Sequence, residues 1–279
     1  MLDKLFKLNE RGTSVKTEIL AGITTFITMA YILFLAPNIL SLAGMDKDAV
    51  LIATALGGGL VTIAMGVLVN YPIALAPGVG LLAFYSFTVV LGMGIQWKTA
   101  LGAVFISGLV FLALTLTSIR QMIVNGIPAS MKVAITVGIG LFIAIIGLKL
   151  SGLMAISISI SPNSLGQVVK THGNLVPPQS EALLTMGNLH DGNTLLALFS
   201  LIFTSLLMAR NIQGSLLIGV LVTTVISYAT GLSTMPEHFQ VLAIPDFSKA
   251  AFFQLDIPGA IHMGLITIIF SFTFVELFD

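Results

Sequence analysis

Long uncharged runs, separated by short polar punctuation, dominate the chain. Residues 19–45 and 49–97 carry no charged side chain. A helix crossing about 30 Å of hydrocarbon at about 1.5 Å per residue needs about 20 apolar residues. The first run is therefore read as span 1. The second is too long for one helix, and Asn70-Tyr71-Pro72 divides it into spans 2 and 3. Span 4 lies between Lys98 and Arg120, and span 5 between Lys132 and Lys149. Span 6 runs up to Arg210, span 7 covers about 212–230, and span 8 begins near Ile257. Two polar stretches interrupt the series, at about 151–193 and 231–256, and are read as loops.

The basic residues orient these spans. An inside N-terminus puts Lys4, Lys7, Arg11 and Lys16 on the cytoplasmic side, with Arg120, Lys132 and Arg210. Lys47, Lys98, Lys149, Lys170 and Lys249 then face outward, some of them on long loops whose charges weigh less. Both polar stretches also face outward. Leu2, Leu5, Phe6 and Leu8 fit one face of a short surface helix, with a frayed tail as the alternative.

Composition agrees with this reading. The chain is 56% apolar and 9% charged, with a mean hydropathy of +1.05. Soluble domains carry roughly 25% charged residues. Net charge is zero, so no basic surface for nucleic acid is expected. There is no cysteine, which excludes disulfides and thiolate metal sites. His172, His190, His238 and His262 are scattered without metal-ligand spacing.

Three stretches carry candidate chemistry. In span 3, Ala76-Pro77-Gly78-Val79-Gly80 should break the helix. Within hydrocarbon, a broken backbone survives only where protein buries it or a cavity is lined, and discontinuous helices point to transporter binding sites. A helix restarting near Val79 would present free N–H groups and a positive dipole end. The alternative is a packing kink. In span 8, Glu276 and Asp279 stand at i, i+3 on one helix face. A carboxylate inside a span costs about 2.5–3.5 kcal/mol on insertion scales and is a functional candidate by default, suited to taking up and releasing a proton. Alternatively, Asp279 lies at the far interface and Glu276 snorkels. In span 1, Thr24, Thr28 and Tyr31 share a face, as do Thr25 and Thr28, a pattern that also suits purely structural hydroxyls. Gly57-Gly58-Gly59 and Gly138 with Gly140 read as small-residue packing sites.

Span 8 reaches Glu276 and Asp279 without a basic flank, and the reading expects the sequence to be part of a longer protein. Thr28-Met29-Ala30-Tyr31-Ile32-Leu33-Phe34 of span 1 is echoed by Thr273-Phe274-Val275-Glu276-Leu277-Phe278 of span 8. Such an echo suits an inverted repeat that begins again at span 8.

These stretches, together with Arg11-Gly12-Thr13, Thr17-Glu18-Ile19, Ala21-Gly22-Ile23-Thr24-Thr25-Phe26, Ala83-Phe84, Gly138-Ile139-Gly140-Leu141-Phe142 and Gly147-Leu148-Lys149, run along the whole chain. In them the chain resembles the hypoxanthine/guanine/adenine permeases, the AzgA-like branch of the nucleobase–cation symporter-2 (xanthine/uracil permease) superfamily. The resemblance implies an all-α polytopic membrane protein of two inverted seven-span repeats. This chain would supply the first repeat and the start of span 8, with a broken third span. Residues 1–17 would be a cytoplasmic segment and 18–119 core spans 1–4. Residues 120–257 would hold gate spans 5–7, with their two outside loops, and 258–279 the start of span 8.

By position the resemblance makes Glu276 the carboxylate that contacts the base, and Asp279 the second acid of that motif. Ala83 or Phe84 stands beside the base, with Gly78, Gly80, Thr25 and Tyr31 completing the candidate set. Glu276 and Asp279 are the candidates for proton coupling, and Phe84 for stacking on the purine. The family usually has Asn at the positions of Leu82 and Ala36, and Asp at that of Glu276. These departures bear on which purine is preferred. The expected activity is proton-coupled purine import across the cytoplasmic membrane, with no cofactor beyond the coupling ion, and with homodimer contacts through the gate domain. Rivals are uracil or xanthine transport on the same fold, an anion carrier lacking the positive group it would need, and an intramembrane protease lacking acids on separate helices. Without span 10, residues 1–279 alone are expected not to transport.

Overall fold

The computed structural model describes residues 6–8, 10–160, 180–234 and 254–278. Helices account for most of these residues. In order they are α1 (Val15–Met29), α2 (Ile32–Leu42), α3 (Lys47–Ala64), α4 (Val79–Ala83), α5 (Trp97–Leu116), α6 (Ile119–Gly126), α7 (Ala129–Leu150), α8 (Gly192–Ala209), α9 (Ser215–Ala229), α10 (Ile257–His262) and α11 (Ile266–Phe278). Wider π-helical turns continue α3 over Met65–Val69 and α4 over Phe84–Gly92.

Among the described residues, five helices are long and apolar enough to cross a membrane. They are Val15–Leu42, Lys47–Val69, Trp97–Leu116, Ala129–Leu150 and Gly192–Ala209. Shorter apolar helices at Val79–Gly92, Ser215–Ala229 and Ile266–Leu277 fall where spans 3, 7 and 8 were expected. The large apolar side chains on these helices are widely exposed, Leu68 and Leu116 among them, as suits surfaces that face lipid. The chain is a multi-pass membrane protein.

The all-α expectation needs one correction. The stretch read as an outside loop contains β1 (Met154–Ile160) and β2 (Ser180–Met186), an antiparallel pair with Met154 opposite Met186 and Ile160 opposite Ser180. Its signal was the period-2 alternation Ile156-Ser157-Ile158-Ser159-Ile160, which gives a strand one apolar face.

The chain divides into two compact units. The first comprises Met1–Ile143, Asn211–Leu217 and His238–Asp279. In it α2 packs on α3, and α5 packs on both α10 and α11. Its core gathers Tyr85, Val89, Ala100, Ala103, Ala260, Leu265, Ile268 and Phe272. Alanines at three of these positions let helix backbones approach closely, as expected where packing rather than hydrophobicity drives association in lipid.

Two contacts fix which helix ends lie together. Arg11 Nη2 donates to the Asn70 carbonyl at 2.6 Å, so the N-terminal arm caps the end of span 2. Asn70 is left-handed (φ 54°) and terminates the π-helical turn. At the opposite end of the spans, the Asp256 amide donates to the Lys98 carbonyl at 3.0 Å, and Thr99 Oγ1 donates to Asp256 Oδ2 at 3.0 Å. Asp256 also accepts from the Gly259 amide at 2.8 Å and so caps α10. Gly102 leaves room for this junction, because a Cβ there would overlap the Asp256 carbonyl.

The second unit comprises Ala144–Arg210 and Ile218–Glu237. Within it α8 and α9 are tied by Thr223 Oγ1 donating to Ser200 Oγ at 2.8 Å. Gly219 allows the approach, as a Cβ there would overlap Thr204 Oγ1.

Candidate functional site

The candidate residues of spans 3 and 8 lie in the first unit, on α4 and α11. No helix forms over residues 70–78, where the Ile73 amide donates to the Tyr71 carbonyl at 2.9 Å and the chain meets α3 at Leu75. Thr62 serves this segment twice: it accepts from the Leu75 amide at 2.9 Å and donates to the Leu75 carbonyl at 3.3 Å. Gly58, one turn earlier on α3, would place a Cβ 3.2 Å from that carbonyl, so a small residue is required for the approach. Of Gly57-Gly58-Gly59, Gly58 alone meets a neighbour. Gly138 and Gly140 meet nothing within 4 Å among the described residues.

Helix resumes at Val79, with Gly78 at its N-cap and no side chain capping it. Gly80 and Ala83 are buried. Phe84 turns toward α11, where its ring meets that of Phe272 at 5.2 Å and 77°. Tyr85 points the other way, and its hydroxyl donates to the Trp97 carbonyl at 2.7 Å. Ala36 and Leu82 fall in one apolar cluster with Ile32 and Val50. The two positions where asparagine was expected are therefore a single packing environment.

Span 8 is interrupted in a way the sequence reading did not specify. The short helix α10 ends at His262, Gly264 takes a positive φ of 63°, and α11 starts at Ile266. Glu276 is therefore only about 15 Å along its own helix, rather than the 25–30 Å obtained by counting from Ile257. Ser107 stands at a similar depth on α5, and its Oγ donates to Glu276 Oε1 at 3.0 Å. Ser107 is fully buried. Glu276 Oε2 is buried as well and has no hydrogen-bond partner among the described residues. Among the described residues Glu276 makes no ion pair. A buried acceptor left unpaired costs about 1–3 kcal/mol, and more when charged, so Oε2 is a place where a donor is wanted.

The span 1 hydroxyls are satisfied locally. Thr25 Oγ1 donates to the Ala21 carbonyl at 2.9 Å and Thr28 Oγ1 to that of Thr24 at 2.8 Å. Tyr31 sits at the break between α1 and α2. A cavity of about 480 Å³ lies between α1, α3 and residues 71–76, and Thr25 lines it. Glu276, Phe84, Ala83, Gly78 and Gly80 do not. The structure thus brings Phe84 of span 3 to Phe272 of span 8, and places Thr25 on a cavity that Glu276 does not line. Asp279 lies outside the described residues, as do His172 and His238. Among the described residues no cluster of three or more His, Asp or Glu could hold a metal.

Ser107, Thr62, Thr99 and Asp256 escaped the sequence reading. The first three are ordinary hydroxyls in apolar runs, and nothing local marks them. Asp256 had a local signal, an aspartate directly before Ile257-Pro258 at a helix start.

A family model described as "Permease family", that of the xanthine/uracil permeases, matches residues 16–279. A putative permease of Methanocaldococcus jannaschii is 47% identical over 278 residues, covering 100% of this chain and 58% of that protein. The adenine permease AdeP of Escherichia coli is 37% identical over 280 residues, covering 100% of this chain and 57% of its own. The guanine/hypoxanthine permease PbuO of Bacillus subtilis is 38% identical over 280 residues, covering 99% and 59%. The chain spans a little under three-fifths of the length of these curated relatives.

Proposed function

The chain belongs to the permease family, in its purine branch, and from that premise we propose that it carries out proton-coupled import of adenine, hypoxanthine or guanine. The family is one of transporters, not enzymes. The observation that carries the proposal to a site is Glu276, a carboxylate in an apolar helix with Oε2 buried and unpartnered. A purine N–H is a donor of the right kind for that oxygen, and a proton removes the buried charge when the base is absent. Discrimination among bases follows from the same chemistry, because a base that leaves a buried polar group unpaired is strongly rejected.

In this reading spans 1–4 and 8 belong to a core that carries the base, and spans 5–7 to a gate. A second, inverted seven-span repeat completes the transporter, and the gate supplies a homodimer contact. The non-helical residues 70–78 and the helix starting at Val79 form the broken third span, with backbone groups available to the base. The membrane is the cytoplasmic one, with the N-terminus inside. Two contacts support the parity of the spans. Arg11 with Asn70 joins two ends expected inside, and Lys98 with Asp256 joins two expected outside.

The test is uptake of labelled hypoxanthine by purine-transport-deficient cells expressing the complete reading frame. Unlabelled adenine, guanine and uracil serve as competitors, with a protonophore control. Uptake that purines compete and the protonophore collapses is the expected result. Competition by uracil alone moves the substrate to another nucleobase, and a protein present in the membrane with no uptake of any base contradicts the proposal.

A further inference from the structure

We infer that Ser107 of span 4 is a positioning residue for the span 8 carboxylate, holding Glu276 Oε1 so that Oε2 alone is presented to the purine. The inference rests on the functional reading above and adds to it a residue on a different helix. Ser107 and Glu276 are separated by 169 residues in sequence, yet their side-chain oxygens lie 3.0 Å apart. Ser107 is fully buried, so water does not compete for its hydroxyl. The two oxygens of Glu276 are then unlike, since Oε1 has a donor and Oε2 has none. A carboxylate whose rotation is pinned through one oxygen offers the other in a fixed direction, which is the requirement for a preorganised binding group.

A serine suits this task because its hydroxyl has a second acceptor. Ser107 Oγ is also 2.7 Å from the carbonyl of Val104, on its own helix. One hydroxyl hydrogen serves either acceptor. When Glu276 rotates away with no base bound, the hydroxyl rests on Val104 and no buried donor is orphaned. A purely structural serine needs only the Val104 bond. The contact with Glu276 is therefore additional to what helix packing requires. The groups facing Glu276 from α5 are neutral, and no cation competes with Ser107 for Oε1 among the described residues.

The test is equilibrium binding of labelled adenine, hypoxanthine and guanine to the purified full-length protein, comparing wild type with Ser107→Ala, Ser107→Thr and Ser107→Cys. Melting temperatures are measured alongside. Ser107→Ala is expected to weaken binding of the preferred purine by about tenfold or more, the loss expected for a hydrogen bond to a charged group, and to lower the melting temperature modestly because Glu276 Oε1 loses its donor. Ser107→Thr restores affinity. Should its extra methyl lower the melting temperature, Ser107→Cys decides instead, because it keeps the volume with a weaker donor and is expected between wild type and Ser107→Ala. Wild-type affinity in Ser107→Ala, or affinities of Ser107→Thr and Ser107→Cys that follow melting temperature rather than the strength of the donor at this position, overturns the positioning role and leaves the functional reading standing. Wild-type protein that binds none of the three purines overturns both.

Discussion

Phe84 and Phe272 meet edge to face, with ring centroids 5.2 Å apart and planes at 77°. Phe272 precedes Glu276 by four residues on α11, so the pair stands one turn from the carboxylate on the same face. It ties the restarted span 3 helix to span 8, where a direct stacking role for Phe84 on the base was expected from sequence. Phe272 is fully buried. Phe272→Ala is expected to cost about 3–5 kcal/mol, seen as an earlier melting transition of the purified protein. In a double-mutant cycle of Phe84→Leu with Phe272→Leu, the two rings should couple by about 0.5–1.5 kcal/mol. Simple additivity would mean that the two rings do not act as a pair.

Thr62 holds the non-helical segment before α4 through both polar groups of Leu75. Thr62→Val keeps the shape and removes the oxygen, leaving the Leu75 amide without its acceptor. A loss of about 1–3 kcal/mol of stability is expected, together with reduced purine uptake, because the start of α4 is no longer fixed. Thr62→Ser should behave like wild type in both assays. Equal stability for Thr62→Val and wild type would contradict this anchoring.

Gly102 and Gly108 lie on the same helix and make opposite predictions. A Cβ on Gly102 overlaps the Asp256 carbonyl, while one on Gly108 meets nothing within 4 Å. Gly102→Ala should therefore separate span 4 from the start of span 8 and cost about 1–3 kcal/mol of stability, as is typical of overpacking, read as a lower melting temperature. Gly108→Ala should be neutral or slightly stabilising, since alanine is the better helix former by about 1 kcal/mol. Similar effects from the two would show that the Gly102–Asp256 approach is not tight.

The hydrophobic elements were legible because charge is so costly in lipid that its absence marks each span. Residues 19–45 and the pair divided at Asn70-Tyr71-Pro72 needed nothing more. Pro77 and Gly78 stand directly before the helix that begins at Val79. The partners of the site were not legible. Ser107 is one of several hydroxyls in apolar runs, and only the fold brings it to Glu276. The interruption of span 8 at Gly264 was equally hidden, because His262 and Gly264 are isolated in an otherwise apolar run. The strand pairing of Met154–Ile160 was written in its alternation but obscured by the serines that make the stretch look like a loop.

The central claim is that the purine is taken up through Glu276. Its most direct test is uptake of labelled hypoxanthine by deficient cells expressing Glu276→Gln from the complete reading frame, at matched membrane abundance with wild type. Glutamine keeps the size and an acceptor oxygen for Ser107, and removes the titrating group. The account predicts uptake abolished or strongly reduced. Wild-type rates in Glu276→Gln would contradict it.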